Sequence, residues 1–272
     1  MQPVRLACVS YINTRPLIDG LAKADGVTLI TAPPAEIAGL LASGQANLGL
    51  ISVVDAIRSP EPLALVPAGM IGSDGPTFTV RLFSTTPPED VRTIHADIES
   101  HTSVALCQIL IKELSSHKSK TEPEVVPFDA ANDKTWPEAV LLIGDKVITA
   151  PPPPGQYAYE LDLGEAWRKL TGLPFVYGMW ACRASDADSS AVAAAAALVD
   201  RQLRHNLARL DALAAAAAPE HNWPIETTRT YYSRYLHFSV GEPEREAVKA
   251  FFDRLGATEH PAWVDWRPAL SR

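Results

Sequence analysis

Several features that commonly declare a function are missing from this sequence. Only three cysteines, Cys8, Cys107 and Cys182, occur among its 272 residues, 99 and 75 positions apart. That spacing excludes a disulfide-dense scaffold and a sequence-local metal cage, and suits core thiols in a reducing compartment. The longest apolar runs, such as "AVAAAAALV" at 191–199, fall well short of a membrane span. No signal-peptide pattern precedes the first strand-like run, so a cytoplasmic protein is expected. The formal net charge is −8 and no basic run exceeds two residues. Nucleic acid is therefore not an expected partner, and an anionic ligand has to be held by local donors. The seven histidines, at 95, 101, 117, 205, 221, 237 and 260, share no metal-ligand spacing with one another or with a cysteine. Neither a metal nor a cofactor is expected. GxSxG, Walker A and GxGxxG patterns are all absent, which removes the usual warrant for hydrolase, phosphoryl-transfer and dinucleotide readings. No internal repeat is visible, and nothing specifies an oligomeric state.

What is present is an alternation of short apolar strands and amphipathic helices, with 47% hydrophobic residues overall. That alternation is the signature of an open α/β sheet. Strands are expected at 4–10, 27–32 and 47–52, with "PAEIAGLLASG" between the last two as a helix stopped by Gly44. A longer β-type run, "TFTVRLFS", covers 77–84. The register then restarts with "TIHAD", the helix "TSVALCQILIKEL", "EVVPF" and "EAVLLIG", and "LPFVYGMWACR" at 173–183 reads as another strand. Beyond it the chain is mostly helical. The run "APPPPGQ" at 150–156 can join neither a ladder nor a helix interior and reads as a rigid turn. Two strand-like runs bracket the middle units, so two lobes are expected, one from 1–84 and 178–272 and the other from 85–177, with a ligand cleft between them. The chain then passes between lobes twice.

Polar residues recur where a strand hands over to a helix or loop, where small ligands commonly bind in α/β folds. Asn13 follows the first strand, Ser52 follows the third, "SDGPTFT" holds Thr79, and "LLIGD" ends on Gly144 and Asp145. Asn13 or Thr14 can cap the turn that Arg15 and Pro16 open. Thr102 and Ser103 head a helix whose unpaired amides favour an anion. Asp145 can serve as a base, a loop-ordering acceptor or a solvated charge.

Together "VSYINTRPL", "SDGPTFTV", "HTSVAL", "LLIGD" and "DLGEAWRKLTGLPFVYGMWACR" resemble the chorismate dehydratase family of the futalosine route to menaquinone, over residues 4–183. The C-terminal helices match that family only in general character. The resemblance implies a two-lobed fold like type 2 periplasmic binding proteins. It also implies that chorismate, a small-molecule substrate, loses water to give 3-[(1-carboxyvinyl)oxy]benzoate. On this resemblance Asn13 and Thr79 are catalytic. Asn13 matches the family's active-site asparagine and Thr79 stands where a family serine is expected. Ser52, Thr102, Ser103, His101, Gly144 and Asp145 are the expected substrate contacts, with His101 standing where arginine is frequent. No histidine is expected to act as the base, because the substrate's own enolpyruvyl carboxylate can reach the ring proton. Two other readings share the fold, a small-anion solute-binding protein and the sister naphthoate synthase of the same pathway. The "SYIN" and "TGLPFVYGMWA" segments favour the dehydratase.

Overall fold

A computed structural model describes residues 3–97, 100–115, 122–130, 132–133 and 135–267. His117 lies outside the described residues. The strands are β1 (Val4–Cys8), β2 (Val27–Thr31), β3 (Leu48–Ser52), β4 (Leu63–Ser73), β5 (Val80–Ser84), β6 (Thr93–Ala96), β7 (Glu124–Pro127), β8 (Ala139–Ile143), β9 (Tyr159–Asp162) and β10 (Phe175–Arg183). They form two five-stranded sheets, ordered β2-β1-β3-β10-β4 and β7-β6-β8-β5-β9. In each sheet three strands run parallel, and the fourth position is taken by an antiparallel strand that has just arrived from the other sheet.

The chain changes sheets between Ser73 and Val80 and again between α6 (Leu163–Thr171) and Phe175; the other helices are α1 (Arg15–Ile18), α2 (Pro34–Ala42), α3 (Asp55–Arg58), α4 (His101–Leu114), α5 (Lys146–Thr149), α7 (Ser190–Leu207), α8 (Leu210–Glu220), α9 (Ile225–Thr230) and α10 (Glu242–Arg254). Two passages were expected and two are found. The boundary read from sequence at 84 leaves β5 with the wrong lobe, however, and the one at 178 falls inside β10. All of β5 pairs with β8 and β9 in the second sheet, and Phe175–Tyr177 already belongs to β10 in the first. The run 77–84 looked continuous, but Phe78 breaks it. Its φ of +73° is a left-handed conformation that costs a bulky residue energy, so the strand begins only at Val80.

The unexpected strand β4 lies at the open edge of the first sheet, where Pro67 is tolerated. Its edge is covered by the C-terminal part of the chain. The amides of Met70 and Gly72 donate to the carbonyls of Phe238 and His237, and Leu65 exchanges bonds with Ala262 and Val264. That cover satisfies the edge groups that would otherwise recruit another strand. One apolar core faces both sheets through Trp167, Phe175, Phe251 and Leu106, and a second packs α7 and α8 on the outer face of the first sheet. The proline run falls between α5 and β9.

Asp162 pins the first passage to the second lobe. Its two carboxylate oxygens accept the backbone N–H of Thr77 at 2.8 Å and of Phe78 at 2.7 Å, and the same side chain caps α6 through the amide of Glu165 at 3.1 Å. Phe78 is further held by stacking on Tyr235, with ring centroids 5.0 Å apart. Asp162→Ala leaves these amides without an acceptor. A loss of about 3 kcal/mol is expected in urea unfolding. A loss below about 1 kcal/mol would show that the passage is held by other contacts.

Candidate active site

The ends of β1, β3 and β8, the first passage and the start of α4 meet around a cavity of about 350 Å³ between the two sheets. Asn13, Ser52, Thr79, Ser103, Gly144 and Asp145 all line it, six of the eight residues expected there. They come from both lobes.

Asn13 sits in a single turn, Ile12–Thr14, directly after β1. The turn is closed by Thr14, whose hydroxyl lies 2.7 Å from the Tyr11 carbonyl and 3.1 Å from that of Val9. Neither Asn13 nor Thr14 caps the next helix through its side chain, which corrects the capping expectation. Asn13 Oδ1 is buried with no hydrogen-bond partner on the protein. A buried acceptor in that condition is costly unless a ligand or water completes it.

Thr79 is placed in the cavity wall by the left-handed Phe78 before it. Its hydroxyl is hydrogen-bonded to Tyr231 Oη at 2.8 Å, and both residues are almost wholly buried. Tyr231 belongs to a π-helical turn, Tyr231–Tyr235, a local widening often found at functional sites. Burial pushes the Tyr231 phenol well above its usual range, with the Thr79 and Asn13 hydrogen bonds opposing, so it stays neutral. A second hydroxyl chain lies beside it, Tyr177 Oη to Thr77 Oγ1 at 2.7 Å and on to Ser73 Oγ at 3.0 Å. Sequence reasoning missed Tyr231, Tyr177 and Thr77. Nothing local marks the tyrosines, which arrive from 100 or more residues away. Asp162 did carry a signal, since Asp162 and Glu165 stand in a capping-box spacing within "DLGEAW".

Thr102 and His101 do not line the cavity, contrary to expectation. A helix turns about 100° per residue, so Ser100 and Ser103, three apart, share the cavity side, with Oγ atoms 2.9 Å apart. Thr102 and His101 instead face the loop after β3. The Thr102 hydroxyl accepts the Val54 amide at 3.2 Å, and His101 Nδ1 lies 2.7 Å from Asp55 Oδ1. Both contacts join the two lobes.

Three charged side chains line the cavity. Lys146 is ion-paired with Asp97, and Asp145 Oδ2 lies 2.9 Å from His221 Nδ1. Burial raises the Asp145 pKa above the ordinary carboxyl value, with His221 opposing. Gly144, at φ +64°, makes the turn that brings Asp145 to the end of β8. No histidine lines the cavity among the described residues. No group of three or more His, Cys, Asp or Glu residues is placed to hold a metal among them. The three cysteines are free and buried, and burial raises the thiols of Cys8 and Cys182 to about 12, which removes them as nucleophiles.

Comparison with known proteins gives the family and the fold. A family model described as menaquinone biosynthesis matches residues 4–257. The chain belongs to the menaquinone biosynthesis family. A chorismate dehydratase of Thermus thermophilus is 29% identical over 274 residues, covering 94% of this chain and 96% of that protein. Among solved structures, a protein of Archaeoglobus fulgidus aligns with TM-score 0.66 at 16% identity, covering 94% of this chain and 97% of its own. A Candida albicans protein with the generic periplasmic binding protein fold aligns with TM-score 0.59 at 11% identity, covering 96% and 92%. The two-lobed, periplasmic-binding-protein-like α/β fold expected from sequence is thus the one this family member adopts.

The His101–Asp55 contact makes a pH prediction. The Asp55 hydrogen bond is the main cause that raises the His101 pKa, with the Asp55 charge adding to it and burial and Arg58 opposing. A raised folded-state value means that the pair stabilises fully below the unfolded histidine value and that this is lost as pH rises through the folded one. His101→Gln is therefore expected to lower Tm near pH 6 and to change it little near pH 9. An equal drop at both pH values would show that packing, and not charge, is what the substitution removes.

Proposed function

We propose that this member of the family is a chorismate dehydratase, eliminating water from chorismate to give 3-[(1-carboxyvinyl)oxy]benzoate in the futalosine route to menaquinone, and that it works in the cytoplasm. The observation that carries the reading is the meeting of Asn13 and the hydrogen-bonded Thr79–Tyr231 pair in one interlobe cavity. The Thermus thermophilus relative supports it over a solute-binding protein or the naphthoate synthase. The free, buried thiols and the lack of any helix long and apolar enough to cross a membrane, among the described residues, accord with the location.

The reaction needs little from the protein beyond placement. The proton on the ether-bearing ring carbon and the neighbouring hydroxyl leave, and the ring becomes aromatic, which supplies the driving force. The enolpyruvyl carboxylate of the substrate folds over the ring and takes the proton. Asn13 and Thr79 hold the ether side chain and the hydroxyl in a near-attack arrangement, worth up to several kcal/mol of the barrier by orientation alone. Thr79 adds a methyl where a serine is expected, and Tyr231 fixes its rotamer through their shared hydrogen bond. Ser52 and Ser103 supply further neutral donors.

Incubation of the pure protein with chorismate should yield a product lighter by one water. Unchanged chorismate accompanied by thermal stabilisation would instead indicate a binding role. Asn13→Ala should lower turnover by about 100-fold or more, the cost of one lost transition-state hydrogen bond. Stability should fall by only about 1 kcal/mol, because the hydrogen bond to Tyr231 is lost while Oδ1 has no protein partner to lose. Near-normal turnover would remove Asn13 from the reaction.

A further inference from the structure

Asp145 combines three features. One oxygen, Oδ2, is held by His221 at 2.9 Å, across the lobe boundary from the C-terminal end of α8. The other, Oδ1, is buried and has no hydrogen-bond partner. The side chain lines the same cavity as Asn13 and Thr79. An ionised carboxylate in that position is poorly served, because the side chain is only partly exposed and its buried oxygen, Oδ1, is left without a donor. The cavity already carries the Lys146–Asp97 pair, so an ionised Asp145 would leave its wall with net charge −1 while it receives a dianion. A neutral, protonated Asp145 removes both difficulties. It turns the unpartnered oxygen into a site for a donor proton and relieves the repulsion of the substrate.

We infer that Asp145 is the general acid of the elimination, giving its proton to the departing hydroxyl, and that His221 is the positioning residue that holds the carboxyl for this transfer. This rests on the dehydratase reading. The electron balance is complete. The enolpyruvyl carboxylate takes the ring proton, and the freed pair becomes the new ring π bond. The carbon–oxygen bond breaks toward oxygen, which takes the Asp145 proton and leaves as water. Asp145 remains as a carboxylate that accepts the His221 Nδ1–H, and it regains a proton from the enolpyruvyl acid by way of solvent after product release. Two carboxyl groups thus act at adjacent carbons, one from the substrate as base and one from the protein as acid. The arrangement explains why no histidine is needed in the cavity wall.

The direction of the Asp145 pKa agrees, since burial keeps the proton on to higher pH than for an ordinary aspartate. The groups that face it are His221, the phenols of Tyr231 and Tyr232, and its neighbour Lys146, already engaged with Asp97. Because the acid form is the active one, the single-turnover rate should fall as pH rises and Asp145 loses its proton.

The test uses Asp145→Asn, which keeps the size of the side chain and has no proton to give. With chorismate its single-turnover rate should fall by about 100-fold or more, the usual contribution of a general acid. Binding of chorismate by titration calorimetry and the melting curve should stay close to wild type. A chorismate analogue bearing fluorine in place of the ring hydroxyl loses fluoride without protonation, so the variant and wild type should eliminate it at similar rates. Equal losses on both substrates, or a wild-type rate on chorismate, overturn the role of Asp145. A wild-type single-turnover rate that does not fall as pH is raised overturns it as well. Wild-type protein that leaves chorismate intact overturns the dehydratase reading and this role with it, whereas active wild type beside an equally active variant overturns this role alone.

Discussion

The geometry of the cavity depends on the hold of one carboxylate on one short stretch of backbone. Between Ser73 and Val80 the chain must leave one sheet, cross to the other and present Thr79 on the way. It does so with Phe78 in a left-handed conformation that a bulky residue adopts only when its surroundings impose it. Asp162 imposes it from the second lobe by binding two consecutive amides, and Tyr235 does so from the C-terminal region by stacking on the ring. Thr79 then meets Tyr231, and the hydroxyl is fixed by parts of the chain more than 150 residues apart. A sheet-to-sheet linker has become a positioning device.

The same logic explains the electrostatics. A protein of net charge −8 that accepts a dianion cannot rely on a general positive field. Its cavity offers hydroxyls, one amide and a lysine already paired with Asp97, and its remaining carboxyl group, Asp145, is partly buried. Neutral donors held in a largely apolar cleft are stronger than the same donors in solvent, and they require no reorganisation as charge moves during the reaction. The charged contacts that do span the lobes, His101 to Asp55 and His221 to Asp145, have their histidines outside the cavity wall and join the walls.

Much of this was legible in the sequence, and the limits have physical causes. Strands with clear apolar patterns, such as β1, β2, β3 and β8, and the helices with a full apolar face, α2, α4 and α10, are where periodicity placed them. β4 was passed over because Pro67, Gly69 and Gly72 interrupt its pattern, and β9 because it is four residues long and follows the proline run. Strand ends and the start of α4 pointed to Asn13, Ser52, Thr79, Ser103, Gly144 and Asp145, which line one cavity because the topology sends those ends to one place. His101 and Thr102 were misplaced by a single helical rotation, which no motif encodes. Tyr231 was invisible because its partner lies in another lobe-forming segment and the π-helical turn that presents it has no composition cue.

The account stands on the claim that the interlobe cavity, organised by Asn13, Thr79 and Tyr231, is where the substrate reacts. The most direct measurement is a crystal structure of an inactive Asn13 variant soaked with chorismate. The account requires the ring between the two sheets, with its hydroxyl and ether side chain against Thr79 and the Asn13 position. Chorismate bound outside that cavity, or within it with the reacting carbons turned away from Thr79 and Asp145, would contradict it.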